Sequence, residues 1–247
     1  KISVSEKTKH KYITYNALMT LKEVSCDLLG AASLIQAKCL PMLADNFADV
    51  KDNPNCTKYM ALLAFKNLLN VSGAHTMALE YYVMGTLTKL LALAAQVETD
   101  ISESDDEFKY YFPVVRECAK CIELLCFEET GKVEAVNCNT ILALATLVKG
   151  ETDKELKEAV YGAFMQITIN IKGKQHAIDA KVPTIILKAL QTYKIEDTNA
   201  LINLLKTIGN LSENPAGRKL LQPTLPHIQA IIKYFMDKGN CYNPHFH

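Results

Sequence analysis

Gly173-Lys-Gln-His-Ala-Ile-Asp-Ala-Lys-Val-Pro-Thr-Ile-Ile-Leu-Lys-Ala-Leu190 reads as a short helix opened by a glycine, a turn at Asp179–Lys181, and a second, apolar helix started by Pro183. Proline fits the first turn of a helix and keeps its predecessor out of the α region, so it marks a helix start. The same junction occurs as Gln36-Ala-Lys-Cys-Leu-Pro-Met-Leu43, and Pro226 repeats it near the C-terminus. Pro41, Pro183 and Pro226 follow Gly30, Gly173 and Gly217 at eleven, ten and nine residues. Each unit then continues into a longer third helix, as in Asn199 to Ser212.

Five glycines, Gly30, Gly73, Gly131, Gly173 and Gly217, each close one apolar pattern and open the next, at spacings of 43, 58, 42 and 44 residues. The long interval contains a polar, acidic stretch, residues 96–112 (QVETDISESDDEFKYYF), which reads as an insertion that Tyr110-Tyr111-Phe112-Pro113 pins back to the body. Nine and six residues before the glycine stand the pairs Leu21/Val24, Ile122/Leu125, Phe164/Ile167 and Ile208/Leu211, with Phe65/Leu68 displaced by one. A three-residue step puts both members on one helical face, where they pack on a neighbouring unit. Ile167-Thr-Ile-Asn-Ile171 favours a strand by propensity, but its place in the repeat makes it a helix end. Residues Ile2 to Tyr15 show no clear first or second helix, so further units are expected before Lys1.

A repeat of about 43 residues built from three helices falls within the ~40–47-residue range of armadillo and HEAT repeats. The segment from Gly173 to Leu190 resembles an armadillo repeat in Asp179, Ala180, Val182 and Pro183, with Lys181 where the family usually has glycine; the Gly209-Asn-Leu-Ser212 ending is similar as well. The resemblance implies an all-α, armadillo/HEAT-type right-handed superhelical solenoid of about five three-helix repeats, one domain over residues 1–247 with a flexible tail at 239–247. The last two units, Gly173 to Pro183 and Glu213-Asn-Pro-Ala-Gly-Arg-Lys-Leu-Leu221 with Pro226-His-Ile228, are further similar to the armadillo proteins of the axonemal radial spoke head in motile cilia. That likeness implies a non-catalytic structural subunit of the axoneme, within the cytoplasm and cytoskeleton, whose partners are other proteins. The alternative on the same fold is a cytosolic adaptor or transport receptor that takes an extended peptide in its groove.

Composition narrows the classes independently. The 247 residues carry 27 Lys+Arg and 27 Asp+Glu, 49% are apolar, and only Arg116 and Arg218 are arginine. Disorder is excluded by the apolar content, and a nucleic-acid partner lacks its basic footprint. No apolar run reaches the ~18 residues of a membrane span. The eight cysteines lie mostly in apolar helical stretches, which fits free thiols in a reducing compartment. Cys118, Cys121, Cys126 and Cys138 read as core filler rather than zinc ligands, and Cys241, His245 and His247 as a frayed end, so no metal or cofactor is expected. No nucleophile elbow, phosphate loop or metalloprotease motif is present, and no catalytic residue is assigned.

Stacked repeats bind partners along the surface their third helices line. The face opposite the core pairs offers Asn203, Lys206 and Asn210 on the last third helix, and Glu158, Tyr161 and Met165 on the one before. Tyr59, Lys66, Asn70, Arg116 and Glu123 extend the set. Polar, aromatic and Met character suits a protein interface. Asn67, Asn170 and Asn210 fall out of register, which argues against a regular asparagine ladder for peptide backbone.

Overall fold

The computed structural model of the chain describes residues 6–48, 54–95, 106–148, 153–192 and 198–237, and these hold helices and turns but no strand. The helices are α1 (Glu6–Val24), α2 (Leu28–Gln36), α3 (Cys39–Ala48), α4 (Asn55–Leu68), α5 (Ala74–Glu80), α6 (Val83–Ala94), α7 (Asp106–Leu125) and α8 (Glu129–Asn137). They continue as α9 (Thr140–Leu147), α10 (Lys154–Ile167), α11 (Ile171–Asp179), α12 (Val182–Gln191), α13 (Thr198–Ser212), α14 (Pro215–Leu221), a 3-10 turn at Gln222–Thr224, and α15 (Leu225–Asp237). The third helices α1, α4, α7, α10 and α13 pack in that order, with α4, α7 and α10 each between two neighbours in the series. The first helices α2, α5, α8, α11, α14 and the second helices α3, α6, α9, α12, α15 form the outer layers of a right-handed solenoid.

The paired apolar positions form the interior. Phe65, Leu68, Ile122, Leu125, Phe164, Ile167, Ile208 and Leu211 are all buried, and Phe47 meets the Phe65 ring edge-on at 5.3 Å between centroids. Leu21 and Val24 are the exceptions, the first half-buried and the second 43% exposed, because no described helix precedes α1 to cover them. Between second helices the buried hydroxyls of Thr88 and Thr140 are 2.7 Å apart, a hydrogen bond that satisfies both.

Four of the five marker glycines share one task. Gly30, Gly131, Gly173 and Gly217 each lie three residues past the start of a first-helix cap, where a Cβ would overlap the carbonyl oxygen of Val24, Leu125, Ile167 or Leu211. The first helix therefore rests directly on the last turn of the preceding third helix, and only glycine permits the approach. Gly73 differs. It is itself the cap of α5 at φ +81, and a Cβ there meets nothing within 4 Å. The cap stands two or three positions past the end of the third helix in the other units, against five here. The longer turn accounts for the one-residue displacement of Phe65/Leu68.

The turn between first and second helices is also uniform. Lys38, Tyr82, Asn139 and Lys181 each adopt φ between 55 and 61 immediately before the second helix. Lys181 thus takes the left-handed conformation its family-pattern glycine would take. Pro41, Pro183 and Pro226 all lie in the first turn of their second helices.

The acidic stretch is helical in its second half. Counting back from the core pairs, α4, α10 and α13 begin at the position of Phe112, whereas α7 begins six residues earlier, at Asp106. The extension carries Tyr110 and Tyr111, and the Tyr111 hydroxyl donates to the Ala94 carbonyl at the end of α6. Residues 96–105, with Ser102 and Ser104, and the tail with Cys241, His245 and His247 lie outside the described residues.

Substituting Gly131→Ala is expected to cost about 3 kcal/mol in denaturant titrations, because backbone rather than a mobile side chain must yield. Gly209→Ala, in the interior of α13 with open space around it, is expected to add about 0.5–1 kcal/mol. Equal losses at both positions would contradict the close approach. At the first-to-second turns, Tyr82→Gly is expected to raise stability by about 1 kcal/mol, and Asn139→Gly by less, since asparagine tolerates the left-handed region better.

Candidate protein-binding surface

The third helices present one side chain row after another on the face their packing leaves open. With the buried Leu68, Leu125, Ile167 and Leu211 as the common reference, Tyr59, Arg116, Glu158 and Ile202 form one row. Leu63, Lys120, Gly162 and Lys206 form the next, and Lys66, Glu123, Met165 and Gly209 the third.

The sequence-derived residues fare unequally. Tyr59, Lys66, Arg116, Glu123, Glu158, Met165 and Asn203 are half-buried on this surface, while Asn70 and Lys206 are exposed. Tyr161 leaves the surface: it is buried in α10 at the level of the core residue Leu62, and burial pushes its hydroxyl up to about 12. The middle of α10 is gripped by α7 and α13 on both sides, which narrows its open face to Glu158 and Met165.

Asn210 is occupied internally. Its side-chain amide donates to the Met165 carbonyl at 3.0 Å and to the Thr168 hydroxyl at 3.1 Å, closing the last turn of α10. Asn67 does the same for α1, donating to the Ser25 hydroxyl at 3.0 Å. Both precede the final core leucine of their helix, so Asn67 and Asn210 are in register with each other once the longer turn at Gly73 is allowed for. Asn170 has a different task, capping α11 through Lys172 N (2.9 Å) and Gly173 N (3.2 Å) and reaching Glu129 at 2.5 Å.

The electrostatic centre of the surface is Glu117, a residue the motif reading passed over. It is nearly fully buried, and three cations converge on it: Lys66 from α4, Arg116 at 3.3 Å and Lys120 at 3.5 Å from α7. Arg116 also pairs with Glu155 of α10, so the network joins three successive third helices. Burial alone would lower the Arg116 guanidinium, but Glu155 and Glu117 together raise it. A buried charge persists only when paired, and a glutamate beside Cys118 on an otherwise apolar face is the sequence signal for such pairing.

Charge changes sign one layer further on. The Glu123 carboxylate lies against Gly162 of α10, in the space a Cβ would take. Burial, reinforced by Glu158 across the layer and opposed by Lys120, raises it to about 7. Glu158 accepts from the Asn199 amide at 3.0 Å.

Cys118 and Cys121 lie in the core of α7, and burial raises both thiols; Cys126 reaches about 12 for the same reason. Among the described residues no group of three or more His, Cys, Asp or Glu could hold a metal ion. No described helix is long and apolar enough to cross a membrane.

The fold these layers define is the armadillo solenoid. A designed armadillo repeat protein in complex with the peptide (KR)4 superposes with a TM-score of 0.69 at 18% identity, over 87% of this chain and 83% of its own. A second designed armadillo repeat protein gives 0.64 at 17% identity, over 92% and 96%. An engineered protein gives 0.61 at 16%, over 93% of each chain. No protein-family model matches the chain, and no curated protein does.

The folded state holds the Glu123 proton more tightly than an unfolded chain would, so ionisation opposes folding. This contribution is complete below about pH 4.5 and is lost as the pH rises through about 7. Glu123→Gln is expected to gain about 1–2 kcal/mol over the native chain at pH 8, after allowance for partial solvation, and little at pH 4.5. Thermal unfolding at both pH values reads the difference. An advantage independent of pH would refute the assignment.

Proposed function

We propose that the chain is a non-catalytic scaffold subunit of the radial spoke of the ciliary or flagellar axoneme, binding neighbouring proteins through its concave and edge surfaces. One observation carries the scaffold part: among the described residues, the open face of five successive third helices offers polar, charged and aromatic side chains. The axonemal part is supported by the resemblance of residues 173–183 and 213–228 to the C-terminal repeats of radial spoke head protein 14. On this reading the chain works in the cytoskeleton, among other proteins rather than nucleic acid, membrane, metal or cofactor.

A second reading has its own support. One structural neighbour is in complex with the peptide (KR)4, which favours a soluble adaptor or transport receptor that holds an extended peptide in the groove.

Tagged chain expressed in a ciliated cell separates the two. Retention along the axoneme after detergent extraction supports the subunit; complete release with the cytosol overturns it. In either setting Lys206→Glu with Asn203→Asp is expected to weaken partner capture about tenfold or more while the melting temperature holds, since Lys206 is exposed and Asn203 only half-buried. Asn210 is left unchanged because its amide closes α10. Undiminished capture would exclude this end of the groove.

A further inference from the structure

The described helices begin on a third helix, α1, and end on a second helix, α15, so the stack has two open end faces. Counted from Val24 and its equivalents Leu68, Leu125, Ile167 and Leu211, one row of each third helix looks back at the third helix before it. Its orientation is fixed by Cys121 of α7, whose thiol lies 3.9 Å from the Leu62 carbonyl of α4. On α4 the row is Thr57, Ala61, Ala64 and Leu68, all buried, and the same positions of α7, α10 and α13 are buried too. On α1 it is Ile13, Ala17, Thr20 and Val24, every one of them exposed, Ile13 to 65%.

The far end shows the matching half of that contact. The row that meets the following third helix runs through Leu18, Leu62, Ala119 and Tyr161, all buried, whereas its member on α13, Leu205, is only partly buried. The row beside it finds a partner on the next third helix in each layer: Tyr59 meets the Tyr110 ring at 5.8 Å, Arg116 pairs with Glu155, and Glu158 accepts from Asn199. On α13 this position is Ile202, 42% exposed, and the α1 equivalent of Glu155 and Asn199 is Tyr12, 71% exposed. Within the stack a third helix also packs on the second helix of its own layer, as α4 does on α3. At the end, α15 presents Leu225, Ile232 and Met236 along one stripe, each more than half exposed.

We propose that a second copy of this chain docks head to tail, its α1 taking the place of a third helix behind α13 and α15. The contact between successive third helices is made four times inside the chain, and its two unused halves stand at opposite ends of the same molecule. That continuity selects the occupant. Tyr12 of the second copy covers Ile202, and its Ile13 row faces Leu205. Ser212 stands where Ser25 and Thr168 accept from Asn67 and Asn210, and Glu23 stands where those asparagines donate. A carboxylate opposite a hydroxyl keeps this hydrogen bond with donor and acceptor exchanged. Neither the Ile13 row nor the Ile202 and Leu205 positions carry a charge to oppose the approach, and an end layer built to stop a stack has a polar outer face instead. The contact is heterologous, so copies add one after another. The inference needs only the solenoid and is independent of the axonemal reading.

The test is sedimentation velocity on the full chain at concentrations up to about 100 µM. The mean mass is expected to rise with concentration and to pass that of a dimer. Ile13→Glu and Ile202→Glu are each expected to weaken association about tenfold or more, with the melting temperature of the monomer unchanged because both side chains are exposed. An equimolar mixture of the two variants is expected to form a dimer and nothing larger, since each copy keeps one intact end. Ile171→Glu, at a position 82% exposed on a first helix, is expected to change nothing. A chain that stays monomeric throughout overturns the proposal, and a lowered melting temperature for Ile13→Glu in that monomer shows α1 covered by a layer of its own chain. A dimer that survives either variant alone, or a mixture that does not pair, shows a contact elsewhere and overturns it. An equal loss with Ile171→Glu shows unselective apolar association and overturns it as well.

Discussion

The solenoid depends on one close contact made in four of its five layers, the seating of the first helix on a carbonyl in the last turn of the third helix before it. Gly30, Gly131, Gly173 and Gly217 make this possible by presenting no Cβ to Val24, Leu125, Ile167 and Leu211. In three of the four units the next residue is a cation, and in two of these it works on the same turn. Lys132 donates to the Phe127 carbonyl at 3.2 Å and Arg218 to the Ser212 carbonyl at 2.8 Å, where a helix C-terminus attracts positive charge. Lys174 instead reaches forward to Glu213 and ties its layer to the next. The glycine sets the angle between third and first helix, and the cation satisfies the carbonyls that angle exposes. Repetition of that geometry makes the third helices stack into one surface.

On that surface the chemistry follows from which polar groups the stacking buries. Asn67 and Asn210 are spent on closing the preceding third helix, so they brace the ladder from within. Glu117 is buried by the same packing and gathers Lys66, Arg116 and Lys120 around it. Pairing of this kind is weak evidence for added stability, because desolvation opposes the Coulomb attraction. Its clearer consequence is positional: three long, mobile side chains become fixed donors, and α4, α7 and α10 are held in one register.

Periodicity in the sequence made the architecture legible, since the core pairs and the first-turn prolines depend only on local spacing. Gly73 was legible as a boundary but not in its role, because a left-handed cap and a close-approach glycine look alike in a single sequence. That ambiguity shifted the register of one unit and hid the equivalence of Asn67 and Asn210. Tyr161 was misplaced for a different reason. Helical spacing identifies a face, but whether that face is open depends on how tightly α7 and α13 close over α10. The Glu117 network and the Tyr15–Tyr59–Tyr110 cluster join residues 39 or more positions apart on different helices, and no local pattern reveals such neighbours.

The α7 extension links these observations. Its six added residues bring Tyr110 beside Tyr15 and Tyr59, and Tyr111 fastens the same turn to Ala94. Pro113 lies one position past the point where α4, α10 and α13 begin, so the extra turns cross a residue that normally starts a helix. A helix continued through proline forgoes a backbone hydrogen bond, and the tyrosine contacts offset that loss. The acidic insertion thus alters the groove through its helical half, by adding aromatic area at the one end where cations are already fixed. The departure from strict repetition and the most distinctive chemistry of the surface coincide in α7, which marks this layer as the place where one solenoid is told from another.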